Sequence, residues 1–113
     1  MTSTEAIEQR RRVNRAWSHE ERATVYSESL TILGIDPKTV RNWKHARDLI
    51  HKGLDAAINM AYAQEKGIEP GDRVRSRSGK EGTVTSVRKD GCLQVRIDKG
   101  NSLGLNALYL EKI

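Results

Sequence analysis

Two short stretches carry side chains of the right type and spacing to hold a polyanion. In the first, Lys38, Thr39, Arg41, Asn42, Lys44 and His45 mix cations with hydroxyl, amide and imidazole groups. Cations of this kind reach phosphates, and short polar side chains reach base edges. In the second, Arg73, Arg75 and Arg77 alternate with Val74 and Ser76, so a strand would send all three arginines to one face. Covalent chemistry has fewer materials. His19, His45 and His51 do not stand at the i, i+4 spacing of a zinc-binding helix, and no acidic motif accompanies them. Cys92 is the only cysteine and follows a turn with no base nearby in sequence. The chain has no glycine-rich phosphate cradle and no nucleophile elbow. The expectation is a binding protein without catalytic residues, metal or cofactor.

Charge and composition agree with that direction. Twenty Lys and Arg against 15 Asp and Glu leave a formal charge of +5 over 113 residues. Such a balance suits a polyanionic partner, although many soluble proteins are equally basic. Phe is absent, so any core must be built from Leu, Ile, Val and Ala, with Trp17 and Trp43 as the large anchors. A lone cysteine fits a reducing compartment. The first residues, MTSTEAIEQRRR, lack the apolar run of a secretory signal, and no apolar stretch approaches the ~20 residues of a membrane span. A cytoplasmic protein without membrane contact is expected.

The elements that must position these residues change character near Gly67. Upstream, apolar residues recur at helical spacing and glycine is rare; downstream, glycines separate short β-branched runs. This divides the chain into a helical region, 1–66, and a β region, 67–113. The helical region reads as three helices. Residues 5–16 form a polar, Arg-rich helix with Ala6, Ile7 and Val13 as its apolar contacts. Ser18 with Glu21 opens a second helix, which Gly34 stops. Asp36-Pro37 opens a third running to about residue 66, ~45 Å long if Gly53 does not break it. Its stripe of Trp43, Ile50, Leu54, Ala57 and Ala61 is a candidate interface, Trp43, Ile50 and Leu54 foremost, and would support a homodimer. The densest basic cluster, Arg10, Arg11, Arg12 and Arg15, is either an arm for phosphates or a solvated helix face.

The β region reads as strands at 72–77, 82–89, 93–98 and about 102–105, with a further piece in the tail NALYLEKI. Asp90-Gly91 marks a tight hairpin. Val74, Val84, Val87, Leu93, Val95 and Ile97 are expected inside, sealed by Leu105, Leu108 and Leu110. The run PGDRVRSRSGKEGTVTSVRKDGCLQVRID, with Gly79, Gly82, Val84 and Val87 in place, resembles the KOW and SH3-like small barrels. That resemblance implies a five-stranded barrel, and in the KOW group contacts with RNA or ribosome-associated proteins. Tyr109 is the only aromatic after Gly67, which argues against a methyl-lysine cage or a proline-binding groove there. The arginine face is then either phosphate-binding or merely solvated.

The segment LGIDPKTVRNW, with Gly34 at the turn and Val40 and Trp43 at core offsets, resembles the turn and recognition helix of a helix-turn-helix protein. The resemblance implies that Lys38, Thr39, Arg41, Asn42 and His45 face a DNA groove. Leu30, four positions before the turn glycine, is larger than that motif favours. The other reading is a plain antiparallel hairpin of helices 18–33 and 37–66. The expected fold is therefore α+β: a helical hairpin or helix-turn-helix followed by an SH3-like barrel. The expected function is binding of DNA or RNA in a regulatory or accessory role, of bacterial or phage type. The alternative is a protein–protein adaptor or inhibitor that docks through the hairpin and the barrel.

Overall fold

In the computed structural model, which describes all of Met1–Ile113, each helix begins where a polar side chain can cap it. Thr2 Oγ1 accepts from Glu5 N and Glu5 Oε1 accepts from Thr2 N, both at 3.1 Å, opening α1 (Ser3–Arg15). Ser18 caps α2 (His19–Leu33) through Glu21 N, also at 3.1 Å. Gly34 ends α2 with φ +69°, and Ile35 N closes back on Leu30 O at 2.9 Å. Only glycine takes that left-handed backbone without strain.

The third helix departs from the sequence reading. Asp36 does cap Pro37, accepting from Lys38 N at 3.0 Å, but the result is a single 3-10 turn, Pro37–Thr39. The helix proper, α3 (Trp43–Glu65), starts six residues later than expected. Asn42 Oδ1 accepts from His45 N at 2.8 Å, while His45 Nδ1 accepts from Arg41 N at 3.1 Å. Together these two bonds satisfy the backbone donors of Arg41 and His45. They give Asn42 the stronger claim to the start, while β-branched Thr39 and Val40 propagate a helix poorly. Gly53 does not interrupt α3. A Cβ there would lie 2.7 Å from Leu33 Cδ1, so glycine admits the end of α2 against the helix.

The protein divides into two compact units, Met1–Asp55 and Ala56–Ile113, so the division falls inside α3 rather than where the chain's periodicity changes. In the first unit, Val13, Ala16, Tyr26, Leu30, Ala46, Ile50 and Leu54 form one buried cluster. The Arg-rich α1 earns its place in this core through a narrow face. Ser3, Ala6, Gln9 and Val13 are buried, and Gln9 Nε2 donates to Ser29 Oγ at 2.8 Å. Ion pairs Arg12–Glu28 and Arg10–Asp55 fasten α1 to α2 and α3. Trp17, expected as an anchor, is instead 79% exposed. It follows the end of α1, where the chain turns outward to begin α2.

The second unit is a five-stranded antiparallel sheet ordered β4-β3-β2-β1-β5, with the last turns of α3 beside it. Its strands are β1 (Arg73–Ser76), β2 (Glu81–Val87), β3 (Leu93–Ile97), β4 (Ser102–Leu105) and β5 (Leu110–Lys112). Val74, Val84, Leu93, Val95, Ala107 and Leu110 fill the interior with Ala63 and Ile68, and Ile97 and Leu105 pack at its edge. Two expected core residues lie further out. A bulge between Val84 and Ser86 sets Val87 opposite Leu93, but at the strand end it stays exposed. Leu108 sits on the 3-10 turn Ala107–Tyr109, where Ala107 points inward in its stead. Asn59 of α3 ties the hairpin to the tail, donating to Asp90 O and accepting from Asn106 Nδ2, both at 2.8 Å. No helix is long and apolar enough to cross a membrane.

Candidate nucleic-acid interface

The expected contact residues divide sharply once their side-chain partners are known. On the second unit, Arg73 is held bidentately by Asp98 at 2.5 and 2.8 Å and also donates to Thr83 Oγ1. Asp98 is in turn held below the usual carboxylate range, chiefly by its hydrogen bond from Arg73. Arg75 donates to Glu81 at 2.9 Å. These two arginines are neutralised by cross-strand acids and form a balanced face. Arg77 has no acidic partner and lies over the Tyr109 ring, 4.5 Å from its centroid. Cys92 is half-buried beside Asn59, and burial pushes its thiol pKa up.

On the first unit the Arg10–Arg15 cluster is likewise consumed. Arg10 pairs with Asp55, Arg11 and Arg15 with Glu8, and Arg12 with Glu28. A cleft of about 420 Å³ mixes Arg12 and Arg15 with Glu20 and Glu21, so it offers no net attraction for an anion. Within 38–45, three side chains expected at bases are spent on the backbone. Thr39 Oγ1 donates to Asp36 O at 2.7 Å, and Asn42 and His45 cap α3. Residues 37–42 hold one 3-10 turn and no α-helix, so no recognition helix is presented there. Ile50 and Leu54, expected at an interface, have no exposed surface at all. The reason is that Val13 of α1, Ala16 just after it, and Tyr26 and Leu30 of α2 join them in the core.

What remains is a set of unpaired cations: Lys38, Arg41 and Lys44 from the expected stretch, and Arg22, Arg47 and Lys52 outside it. Arg22 is positioned by donating Nε–H to Ala16 O at 3.2 Å, leaving its outer nitrogens free. A cleft of about 180 Å³ is lined by Arg22, Tyr26, Trp43, Lys44 and Arg47. A notch of about 70 Å³ is lined by Trp17 and again by Arg22, Tyr26 and Arg47. Arg41 and Asn42 border a third, of about 310 Å³, on the other side of Trp43. None of the three has an acidic residue in its lining. Trp43 is fixed edgewise by His19 and Tyr26, with centroids 5.4 and 5.5 Å away, and remains 39% exposed.

No protein-family model, curated protein or solved structure matches this chain. The functional reading therefore rests on the site. Arg47 carried a sequence signal, since it falls on the apolar stripe of α3, where a cation needs a reason. Arg22 carried none, because its place depends on the carbonyl that ends α1.

Proposed function

We propose that this protein is a non-enzymatic nucleic-acid-binding protein with a regulatory or accessory role, and that the first unit supplies the contact face. The observation that carries the reading is the contrast in charge pairing. Most arginines elsewhere in the first unit are neutralised, whereas Arg22, Arg41, Lys44 and Arg47 stand without acids around exposed indole. Cations left unpaired beside acid-free clefts attract phosphates and release counterions on contact. Exposed aromatic rings with arginine add stacking surface.

The second unit supports the reading more weakly. Its five-stranded antiparallel sheet, with a 3-10 turn between β4 and β5, is open in strand order and compatible with a small barrel-like domain, and its glycine and valine pattern resembles the KOW group. On that reading the barrel adds backbone contacts through Arg77 and the turn lysines Lys80, Lys89 and Lys99, none of which has an acidic partner. The balanced Arg73 and Arg75 take no part.

A mobility-shift titration at low and moderate salt tests the proposal. Four phosphate contacts predict a loss of roughly 50-fold in affinity for a single strand, or roughly 150-fold for a duplex, between about 50 and 200 mM salt. The Arg22→Ala/Arg47→Ala variant is expected to bind weakly at both. Absence of binding at low salt would refute the proposal.

A further inference from the structure

We infer that the nucleic acid held by this face is single-stranded, with unpaired bases stacked on Trp17 and Trp43; the inference rests on the nucleic-acid reading above. Groove recognition of a duplex needs an element that enters the groove with free side chains at base edges. The stretch 37–42 forms one 3-10 turn and a loop, and Thr39, Asn42 and His45 are occupied by their own backbone. Lys38 and Arg41 keep free cations in this stretch, but they stand on a 3-10 turn and a loop rather than on an α-helix that could enter a groove.

The features present are those of a stacking surface. Trp17, one of only five Trp and Tyr residues in the chain, spends four-fifths of its surface on solvent. A large apolar ring left so exposed calls for a partner. The cleft beside Trp43 and the notch beside Trp17 share Arg22, Tyr26 and Arg47. Two cations therefore border both the cleft that Trp43 lines and the notch that Trp17 lines, so charge adjoins ring at both places, as a strand carrying bases and phosphates requires. The notch is small, about 70 Å³, so a base lies over the Trp17 face rather than inside a pocket. Binding of this kind tolerates sequence, because every base presents a π-face.

The test compares a labelled single strand of about 12 nucleotides with a duplex of equal length by fluorescence anisotropy at about 50 mM salt, with tryptophan emission read in parallel. The inference predicts that the single strand binds at least about tenfold tighter and quenches tryptophan emission. Trp17→Ala should weaken single-strand binding about tenfold, the loss of one stacked base, and Trp17→Phe should restore much of it. Trp17 packs against little, so both variants should keep the native circular dichroism. Trp43→Ala loses its contacts with His19 and Tyr26, so it is the less clean variant. Equal or tighter duplex binding, or a Trp17→Ala variant that binds as well as the wild type, overturns the single-strand inference and leaves nucleic-acid binding standing. Failure of both probes to bind overturns both.

Discussion

Ser29 shows how much of the first unit depends on single polar contacts. Its hydroxyl donates to Val25 O and accepts from Gln9 Nε2, each at 2.8 Å, with no exposed surface. Ser29→Ala should leave a buried amide donor unpaired and cost ~1–3 kcal/mol, read from urea denaturation. His51 gives a pH signature. Burial, with Arg10 and Arg47 nearby, lowers its pKa below the ordinary 6.5, against a smaller opposing effect of Asp48. A lowered folded pKa means the unfolded chain binds the proton more readily. Stability is therefore full above 6.5 and is lost as pH falls through the folded value. The urea midpoint of the wild type should drop across that window, and His51→Gln should flatten the drop. Sequence made the caps Ser18 and Asp36 legible because each acts within three residues. It could not show which arginines are neutralised, since Arg12 meets Glu28 and Arg73 meets Asp98 only after folding.

At the scale of elements, period and punctuation were readable and competition between start signals was not. Alternating valines and spaced glycines located all five strands to within a few residues, because a period of two has no helical counterpart. The start of α3 was misplaced because Asp36-Pro37 and Asn42 both invite a helix, and the Asn42–His45 pair decides between them. Asn42→Ala should therefore cost ~0.5–2 kcal/mol through the cap alone. The covering of Ile50 and Leu54 was hidden for a related reason: α1 contributes only Val13 to their cluster, and the rest of its buried face is Ser3, Ala6 and Gln9, which do not announce a core face. Within the sheet, Gly82 is decisive. A Cβ there would stand 2.5 Å from Arg96 O and 2.8 Å from Val95 Cγ1. Gly82→Ala should force β2 away from β3 and destabilise by ~1–3 kcal/mol or more, measurable as a shift in thermal midpoint.

At the scale of the whole molecule, each unit is basic, with ten Lys and Arg against eight acids in the first and ten against seven in the second. Net charge alone does not choose a binding face. The choice comes from where charge is left over: in the second unit Lys80, Lys89 and Lys99 stand on separate loops, while in the first Arg22, Lys44 and Arg47 share clefts with tryptophan. That distribution separates a specific face from diffuse attraction, and a salt series separates them experimentally. The dissociation constant for a labelled single strand should be followed across salt for the wild type, for Arg22→Ala/Lys44→Ala/Arg47→Ala, and for Lys80→Ala/Lys89→Ala/Lys99→Ala. Three lost phosphate contacts predict that the first variant lowers the logarithmic salt slope by about 2, with the second close to wild type. A slope unchanged in the first variant and reduced in the second would contradict the account.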